Sequence, residues 1–290
     1  MRVLVACVTV LLLPVVISIA PTPTAASPRG QEFTPAPGSD PLHRPLDQIL
    51  DLYVRDGLVY YRALKSERAR LDRYVASLNV APAAYAAWPP AQKMAFWVDA
   101  YNAFVLATVI NHYPIHGRAA SLPAVSIRQI PGAFDQPAWR AAGKSVSLDM
   151  IEKTILPEFK EPRLYLALGR GAIGSGRLRS EAYTGERLPK QLDDLQHEFV
   201  SDRQMLQIDR LANQISVTPI LSWREAEFVA AYDKPDPPFA QRSPIERALI
   251  AFIRPSLLPL EKEFVATNEF KMSFHEFDWR LNDLTGGRGE

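Results

Sequence analysis

The sequence predicts an α+β fold, mainly helical, in a single compact domain with a central buried helix and a small β-sheet. Three observations support this prediction. Apolar residues recur at helical spacing through most of the chain, a short apolar run of strand length stands at residues 164–168, and a second strand is predicted at 214–218. The 290 residues, 47% of them hydrophobic, are also enough to close one substantial core. No repeat with a period of 20–50 residues is visible, so a solenoid is not expected.

The N-terminus is typical of a secretory signal peptide. Arg2 precedes an apolar run from Val3 to Ala20, and small residues follow at Ala25 and Ala26. A membrane anchor is the alternative, because the run approaches the roughly 20 residues that span a bilayer. Pro14 and the small-residue exit favour cleavage. We therefore expect a secreted or periplasmic protein without an integral membrane segment after cleavage.

Composition divides the chain further and excludes several kinds of site. We assign residues 1–26 to the signal peptide, 27–45 to a flexible Pro-rich leader and 46–285 to the folded domain. Lys and Arg number 33 against 32 Asp and Glu, so no global charge recruits nucleic acid. Cys7, the one cysteine, lies in the signal peptide, which leaves no disulfide, thiolate nucleophile or cysteine metal site. No cofactor is indicated.

Two helices are predicted ahead of the central one. Apolar residues recur at helical spacing over Leu46–Tyr53 and again over Ser66–Leu78. The Asp56-Gly57 pair ends the first helix. Residues 58–64, LVYYRAL, are expected to form an extended or turn segment.

The central helix is predicted over residues 94–111, where the sequence is apolar on nearly every face. Such a helix is normally buried. Pro89 and Pro90 stand where helix-start prolines belong, and Pro114 ends the helix.

Polar residues inside this helix need partners. Asp99, Tyr101 and Asn102 fall in its otherwise apolar sequence, and a buried polar group without a hydrogen bond costs about 1–3 kcal/mol. Other polar groups must therefore meet them.

The second half of the domain alternates loops with short elements. Residues 115–143 are rich in Pro, Gly and Ser and show no periodicity, which predicts a long, partly packed loop. Ser147 is a predicted N-cap for a short helix that Pro157 limits, and Leu164–Leu168 is a predicted strand of the sheet. The remaining predicted elements are helices at 189–200, 223–232 and 243–254 and a strand at 214–218.

The segment after the predicted strand is rich in glycine and arginine, and we call residues 169–179 the Gly/Arg loop. Its glycines and arginines are Gly169, Arg170, Gly171, Gly174, Gly176, Arg177 and Arg179. Such a loop can point backbone N–H groups and guanidinium forks at one anion. The alternative is a structural loop whose arginines pair with Glu181, Glu186 or Asp99. A GxGxxG match within it is discounted, because no repeated strand and helix alternation surrounds it.

The leading functional hypothesis is a ligand- or anion-binding, enzyme-like domain without thiol chemistry. Its cleft is expected between the Gly/Arg loop and the polar part of the central helix, and the ligand is expected to be a small anion. The predicted ligand-binding residues are Arg170, Arg177, Arg179, Asp99, Tyr101, Asn102 and Glu181.

Two alternatives belong to other classes. One is a hydrolase or acyl-transfer enzyme with Ser175 as nucleophile, for which His112 is a candidate base. The other is a cell-envelope interaction module. A zinc site is not expected, because the five histidines show no HxxxH or HExxH spacing that a helix could align.

Five sequence blocks between residues 49 and 282 resemble the domain of unknown function 547 family. In order they read ILDLYVRDGLVYYRAL, KMAFWVDAYNAFVLATVINHYPI, IEKTILPEF with PRLYLALG, EAYTGERL, and DWRLN. The family's Asn-Ala-Tyr-Asn becomes Asp99-Ala-Tyr101-Asn102 in this chain. The resemblance implies a shared fold but no settled activity.

The chain departs from that family in the Gly/Arg loop. Many members read Asn-Cys-x-x-x-Ser-Cys-Pro-Pro-Leu-Arg after the apolar run, which implies a thiol-dependent site. Here Arg170 and Ser175 stand at the cysteine positions and Gly176-Arg177 replaces the two prolines, whereas Leu178 and Arg179 match. The thiol mechanism that the resemblance implies is therefore not expected here.

Overall fold

The central helix runs from Pro90 to His112, and the rest of the fold packs around it. The computed structural model describes residues 40–136 and 139–286. Every helix residue from Ala95 to Ile110 is buried, as its apolar sequence predicts. The helix is long and apolar enough to cross a membrane, but 89% of its most apolar window is buried inside the fold. It is therefore placed as a core helix.

Further α-helices surround it in the described part of the chain. In chain order they are α1 (Arg44–Tyr53), α2 (Tyr61–Ser66), α3 (Ala69–Ser77), α4 (Pro82–Ala86), the central α5 (Pro90–His112), α6 (Leu148–Met150), α7 (Leu188–Ser201), α8 (Ile220–Trp223), α9 (Glu225–Tyr232), α10 (Pro244–Ile253) and α11 (Pro259–Thr267). Helices α2, α3 and α7 pack directly on α5, and α10 packs on α7 and α9. The fold is thus α+β and mainly helical, as predicted.

The N-terminal boundary differs from the predicted one. Helix α1 begins at Arg44, and the preceding residue, His43, is buried. The folded region therefore begins before Leu46, because His43 has a polar partner in the core as well as apolar neighbours. The predicted signal peptide and most of the predicted leader lie outside the described residues.

The strands are short and form three small sheets among the described residues. They are β1 (Val54–Arg55), β2 (Leu58–Val59), β3 (Trp139–Ala141), β4 (Lys144–Val146), β5 (Leu206–Asp209), β6 (Gln214–Val217) and β7 (Lys271–Phe274). The largest sheet has the order β5-β6-β7, with β5 and β6 antiparallel and β6 and β7 parallel. The predicted strand at 214–218 is present, but LVYYRAL divides between strand β2 and helix α2.

The predicted strand over Leu164–Leu168 is wrong. Residues Pro162–Leu166 form a 3-10 helix, and the Glu161 side chain caps its start by accepting a hydrogen bond from the Arg163 N–H at 3.2 Å. A five-residue apolar run can be either a buried strand or a buried turn, because its length hides the period that separates them. The small sheet consequently excludes this segment.

Between the central helix and this turn, the predicted loop over residues 115–143 is wrong at its end, where Trp139–Ala141 form strand β3 and pair with β4, and a helical segment of mixed type follows. Ser147 caps α6 by accepting a hydrogen bond from the Met150 N–H at 3.0 Å, as predicted. The segment continues as a π-helix over Ile151–Ile155 and a 3-10 helix over Leu156–Phe159. A π-helix holds one extra residue per turn and often occurs at functional sites.

Candidate functional site

The three arginines of the Gly/Arg loop have separate partners. Arg170 is buried in the interior, whereas Arg177 is exposed and its Nη2 lies 3.0 Å from Oδ1 of Asp56. Arg179 pairs with Glu181 at 3.2 Å. The arginines therefore do not converge, and they form no shared anion site.

The glycines of this loop allow close packing. A Cβ on Gly171, which has φ +64°, would lie 3.2 Å from Cγ1 of Val105 on the central helix. A Cβ on Gly174 would lie 2.7 Å from the backbone nitrogen of Asp278. The loop is thus held between the central helix and the C-terminal segment, and glycine is needed where the backbones approach.

Asn102 fastens the start of the loop to the central helix. Its Oδ1 accepts a hydrogen bond from the Gly169 N–H at 2.8 Å, and its Nδ2 donates one to the Ala167 carbonyl at 3.0 Å. The predicted cleft between this part of the helix and the loop is occupied by these bonds. Asn102 therefore has a structural position.

Asp99 lies in a second buried cluster, with His43, Tyr74 and Tyr183. Oδ1 of Asp99 accepts a hydrogen bond from the Tyr183 N–H at 3.0 Å. Oδ2 lies 3.1 Å from Nδ1 of His43 but is not aligned for a hydrogen bond, and that Nδ1 lies 2.6 Å from the Tyr74 hydroxyl. Burial lowers the pKa of His43 to about 4 and raises the pKa of Asp99 well above its ordinary value. Burial therefore favours the neutral form of both groups.

Glu181 is engaged by other side chains of its own segment. It pairs with Arg179 and with Arg187, and its Oε1 accepts a hydrogen bond from Nε2 of Gln191 at 3.2 Å. It holds the segment between the Gly/Arg loop and α7 in place.

Ser175 and His112 are not brought together. The Ser175 side chain is buried, and its Oγ has no hydrogen-bond partner among the described residues. Nδ1 of His112 lies 3.0 Å from the Thr108 carbonyl at the end of the central helix. A serine nucleophile needs a base within hydrogen-bond reach, and no such contact is present in the described part of the chain.

A different region contains an open cavity of about 810 Å³. That volume is within the range of small-molecule sites. The charged side chains that line it are Arg128, Asp135, Asp149, Glu152, Lys153, Arg170 and Arg224, and the aromatic ones are Phe134, Trp223 and Trp279. Of the predicted site residues, Arg170 lines this cavity.

Glu152 sits between two guanidinium groups at the cavity wall. Its Oε1 lies 2.7 Å from Nη2 of Arg170 and 4.0 Å from Nη2 of Arg224. The Tyr101 hydroxyl donates a hydrogen bond to Oε2 at 3.2 Å. Burial alone would raise the pKa of Glu152, but Arg170 and Arg224 hold it below its ordinary value. The carboxylate is therefore ionised and is shared between two cations.

Both arginines keep unused hydrogen-bonding capacity. The Nη1 group of Arg170 donates to the carbonyls of Tyr165 and Leu168 at 3.1 and 3.2 Å. The Nε atoms of Arg170 and Arg224 are buried and have no partner among the described residues. Buried donors without a partner are uncommon in folded proteins, so these atoms mark the site.

Backbone geometry is unusual on both sides of the ion pair. Arg170 has φ +26°, a conformation that side chains other than glycine rarely adopt. Glu152 is carried by the π-helix. Uncommon backbone conformations cluster at functional sites, and two of them meet here.

Aromatic side chains form another part of the wall. The Trp223 and Trp279 rings are nearly parallel, 14° apart with centres 6.2 Å apart, and Phe134 packs edge-on against Trp279. Trp223 is 43% exposed. The Arg128 guanidinium lies over Trp279, 4.9 Å from the ring centre. The cavity therefore joins charged and aromatic surfaces.

Most of this wall is not predictable from the sequence. Glu152, Trp223, Arg224 and Trp279 come from separate segments, and no local spacing connects them. The one local signal was the surplus of arginine near residue 170. No group of three or more His, Cys, Asp or Glu side chains able to hold a metal is present among residues 40–136 and 139–286.

Comparison with known proteins supports the family resemblance over part of the chain. The family model described as "Protein of unknown function, DUF547" matches residues 85–200. No curated protein and no solved structure matches the chain. The matched segment contains the central helix, Glu152 and Arg170, but it ends before Trp223 and Arg224. Over residues 85–200 the chain resembles the DUF547 family of proteins of unknown function.

Proposed function

We propose that this protein binds a small anionic ligand in the cavity beside Arg170. One observation carries the proposal: Arg170 and Arg224 meet at the Glu152 carboxylate on the wall of an open cavity whose lining has four cationic and three acidic side chains. Glu227, which lies 3.5 Å from Nη1 of Arg224, is outside that lining, so an excess positive charge faces the cavity. A carboxylate, phosphate or sulfate matches that charge and the fork geometry of arginine.

The rest of the cavity supports the same ligand class. Nζ of Lys153 lies 2.7 Å from Oδ2 of Asp149, so the charges of these two side chains cancel at the rim of the cavity. Arg128 adds a further cation that forms no ion pair among the described residues, and Asp135 is the remaining acid. Partial enclosure strengthens electrostatic attraction relative to bulk water.

We expect wild type to be stabilised by sulfate, phosphate or acetate and Arg224→Gln to lose this effect. The glutamine removes one guanidinium but leaves the buried Arg170–Glu152 pair. A ligand at 100 times its Kd raises the free energy of unfolding by about 2.7 kcal/mol. The measurement is the change in thermal midpoint with anion concentration at constant ionic strength.

Arg177→Gln is the matched control for that experiment. Arg177 belongs to the Gly/Arg loop but is exposed and pairs with Asp56 outside the cavity. Its replacement should leave the anion response unchanged. Equal responses in wild type, Arg224→Gln and Arg177→Gln would disprove the proposed site.

We also propose that the protein acts after export from the cytoplasm. The apolar run over Val3–Ala20 with small residues at Ala25 and Ala26 supports this. Mass spectrometry of the exported protein should give a mature N-terminus close to Ser27. An N-terminus that retains the apolar run would indicate a membrane anchor.

A further inference from the structure

We infer that the anion bound here is carried on a flat aromatic or conjugated ring, which stacks on Trp223. This inference rests on the proposed function and specifies its ligand class. An aromatic carboxylate is the simplest molecule of that kind.

Trp223 is an exposed aromatic residue at a concave position. Its side chain is 43% exposed although it lines a cavity with Trp279 and Phe134. Scattered exposed apolar residues are ordinary, but an aromatic group in a cavity next to charged side chains is typical of a ligand site. The ring therefore offers a contact surface for a ligand.

The aromatic and cationic surfaces adjoin each other. The Arg170 guanidinium carbon lies 6.0 Å from the centre of the Trp223 ring, and Nη2 of Arg224 lies 4.0 Å from the Glu152 carboxylate that Arg170 also contacts. A ligand ring on Trp223 would thus hold an attached anion close to these guanidinium groups.

The lining suits the two parts of a ring acid. Its cationic side chains can bind the anion, and Trp223, Trp279 and Phe134 can contact the ring. A conjugated acid needs polar partners at its anion alone, and its faces need apolar or aromatic contacts.

The test compares acids that share an anion and differ in the attached group. Benzoate, cyclohexanecarboxylate, acetate, glucuronate and phenyl phosphate are titrated separately into full-length protein labelled with ¹⁵N. Two-dimensional NMR follows the indole N–H signals of the five tryptophans. The Trp223 signal is assigned from its loss in Trp223→Leu. Each titration gives a Kd.

We expect benzoate to bind about two- to tenfold more tightly than cyclohexanecarboxylate, which is the range that an aromatic pair contributes. Its binding should shift the Trp223 signal. Trp223→Leu should abolish the preference and keep acetate binding, whereas Trp223→Phe should retain part of the preference. Trp88→Leu, at a half-buried tryptophan outside the cavity, should retain all of it. Phenyl phosphate and benzoate distinguish a phosphate ligand from a carboxylate ligand.

The outcomes separate the inference from the function on which it rests. Equal affinity for benzoate and cyclohexanecarboxylate, a preference that survives in Trp223→Leu, or tighter binding of glucuronate would overturn the aromatic ligand class and leave the anion site standing. Absence of binding by every acid would overturn both. Circular dichroism of each variant shows that a lost response does not come from a lost fold.

Discussion

Glu152→Ala is expected to lower the free energy of unfolding by about 3–5 kcal/mol, the range found when one partner of a buried ion pair is removed. Arg170 is 1% exposed, and its guanidinium lies 2.7 Å from Glu152. The guanidinium is always charged at neutral pH. Without the carboxylate it would remain in the interior with a full charge and only two carbonyl partners. Urea unfolding followed by circular dichroism measures the loss.

The control for this substitution is Glu158→Ala. Glu158 lies on the same helical segment but is exposed, so its loss should change stability by less than about 0.5 kcal/mol. The double variant Glu152→Leu/Arg170→Met should recover most of the stability, because it replaces both charges by apolar groups of similar size. An unchanged midpoint in Glu152→Ala would mean that water in the cavity solvates Arg170.

This ion pair also connects stability to the proposed ligand. If an anion binds beside Arg170, it supplies the negative charge that Glu152→Ala removes. Sulfate should therefore raise the thermal midpoint of Glu152→Ala more than that of wild type at equal ionic strength. A smaller rise in the variant would indicate that Glu152 positions the guanidinium groups and does not compete with the ligand.

Much of the fold was predictable because its signals are local. An apolar sequence on nearly every face predicts the central helix. The helix begins at Pro90 and ends just before Pro114, as those prolines predict. The Ser147 cap is another local signal, since the serine and the N–H that it accepts from are three residues apart. Each of these features depends on residues within one or two turns.

The errors arose where a short sequence fits two structures or where the partner is distant. The Leu164–Leu168 run is too short to show a period, and Pro162 with the Glu161 cap selects a 3-10 turn. Asn102 has polar partners, as predicted. Those partners are the Ala167 carbonyl and the Gly169 N–H, which are more than 60 residues away in the chain and meet Asn102 only in the folded structure.

The candidate site shows the same limit more strongly. The concentration of arginine in the Gly/Arg loop points to Arg170. It points equally to Arg177 and Arg179, which pair with Asp56 and Glu181 outside the cavity. Glu152 lies 18 residues away from Arg170, on a π-helix that the sequence presents as an ordinary helix. Side chains that meet only through tertiary packing leave no spacing rule in a single sequence.

The buried Asp99 cluster is expected to make wild-type stability fall as pH rises above about 6.5. In the unfolded chain His43 and Asp99 titrate near their ordinary pKa values of 6.5 and 3.8. In the fold the pKa of His43 is lowered to about 4 and that of Asp99 is raised, in both cases mainly by burial. Nearby Asp40, Asp47 and Glu181 raise the pKa of Asp99 further.

Counting bound protons gives the sign. Between about pH 4 and 6.5 the lowered pKa of His43 makes stability rise with pH and the raised pKa of Asp99 makes it fall, so the two effects oppose each other. Above pH 6.5 the effect of His43 is complete, and only the effect of Asp99 remains. The free energy of unfolding should then fall by about 1.4 kcal/mol per pH unit until the folded-state pKa of Asp99 is reached.

Asp99→Asn should reverse the direction of this dependence. The amide oxygen can still accept the Tyr183 N–H, but the acid that titrates is gone. His43 alone then decides the slope, and its lowered pKa makes stability rise with pH between about 4 and 6.5 and level off above that range.

Urea unfolding of wild type and Asp99→Asn from pH 4 to 9 measures both slopes, with Asp72→Asn as an exposed control that should follow wild type. A wild-type curve that stays level above pH 6.5 would contradict the prediction, because it would show that the folded pair holds no proton there and that an ionised Asp99 lies beside a neutral His43.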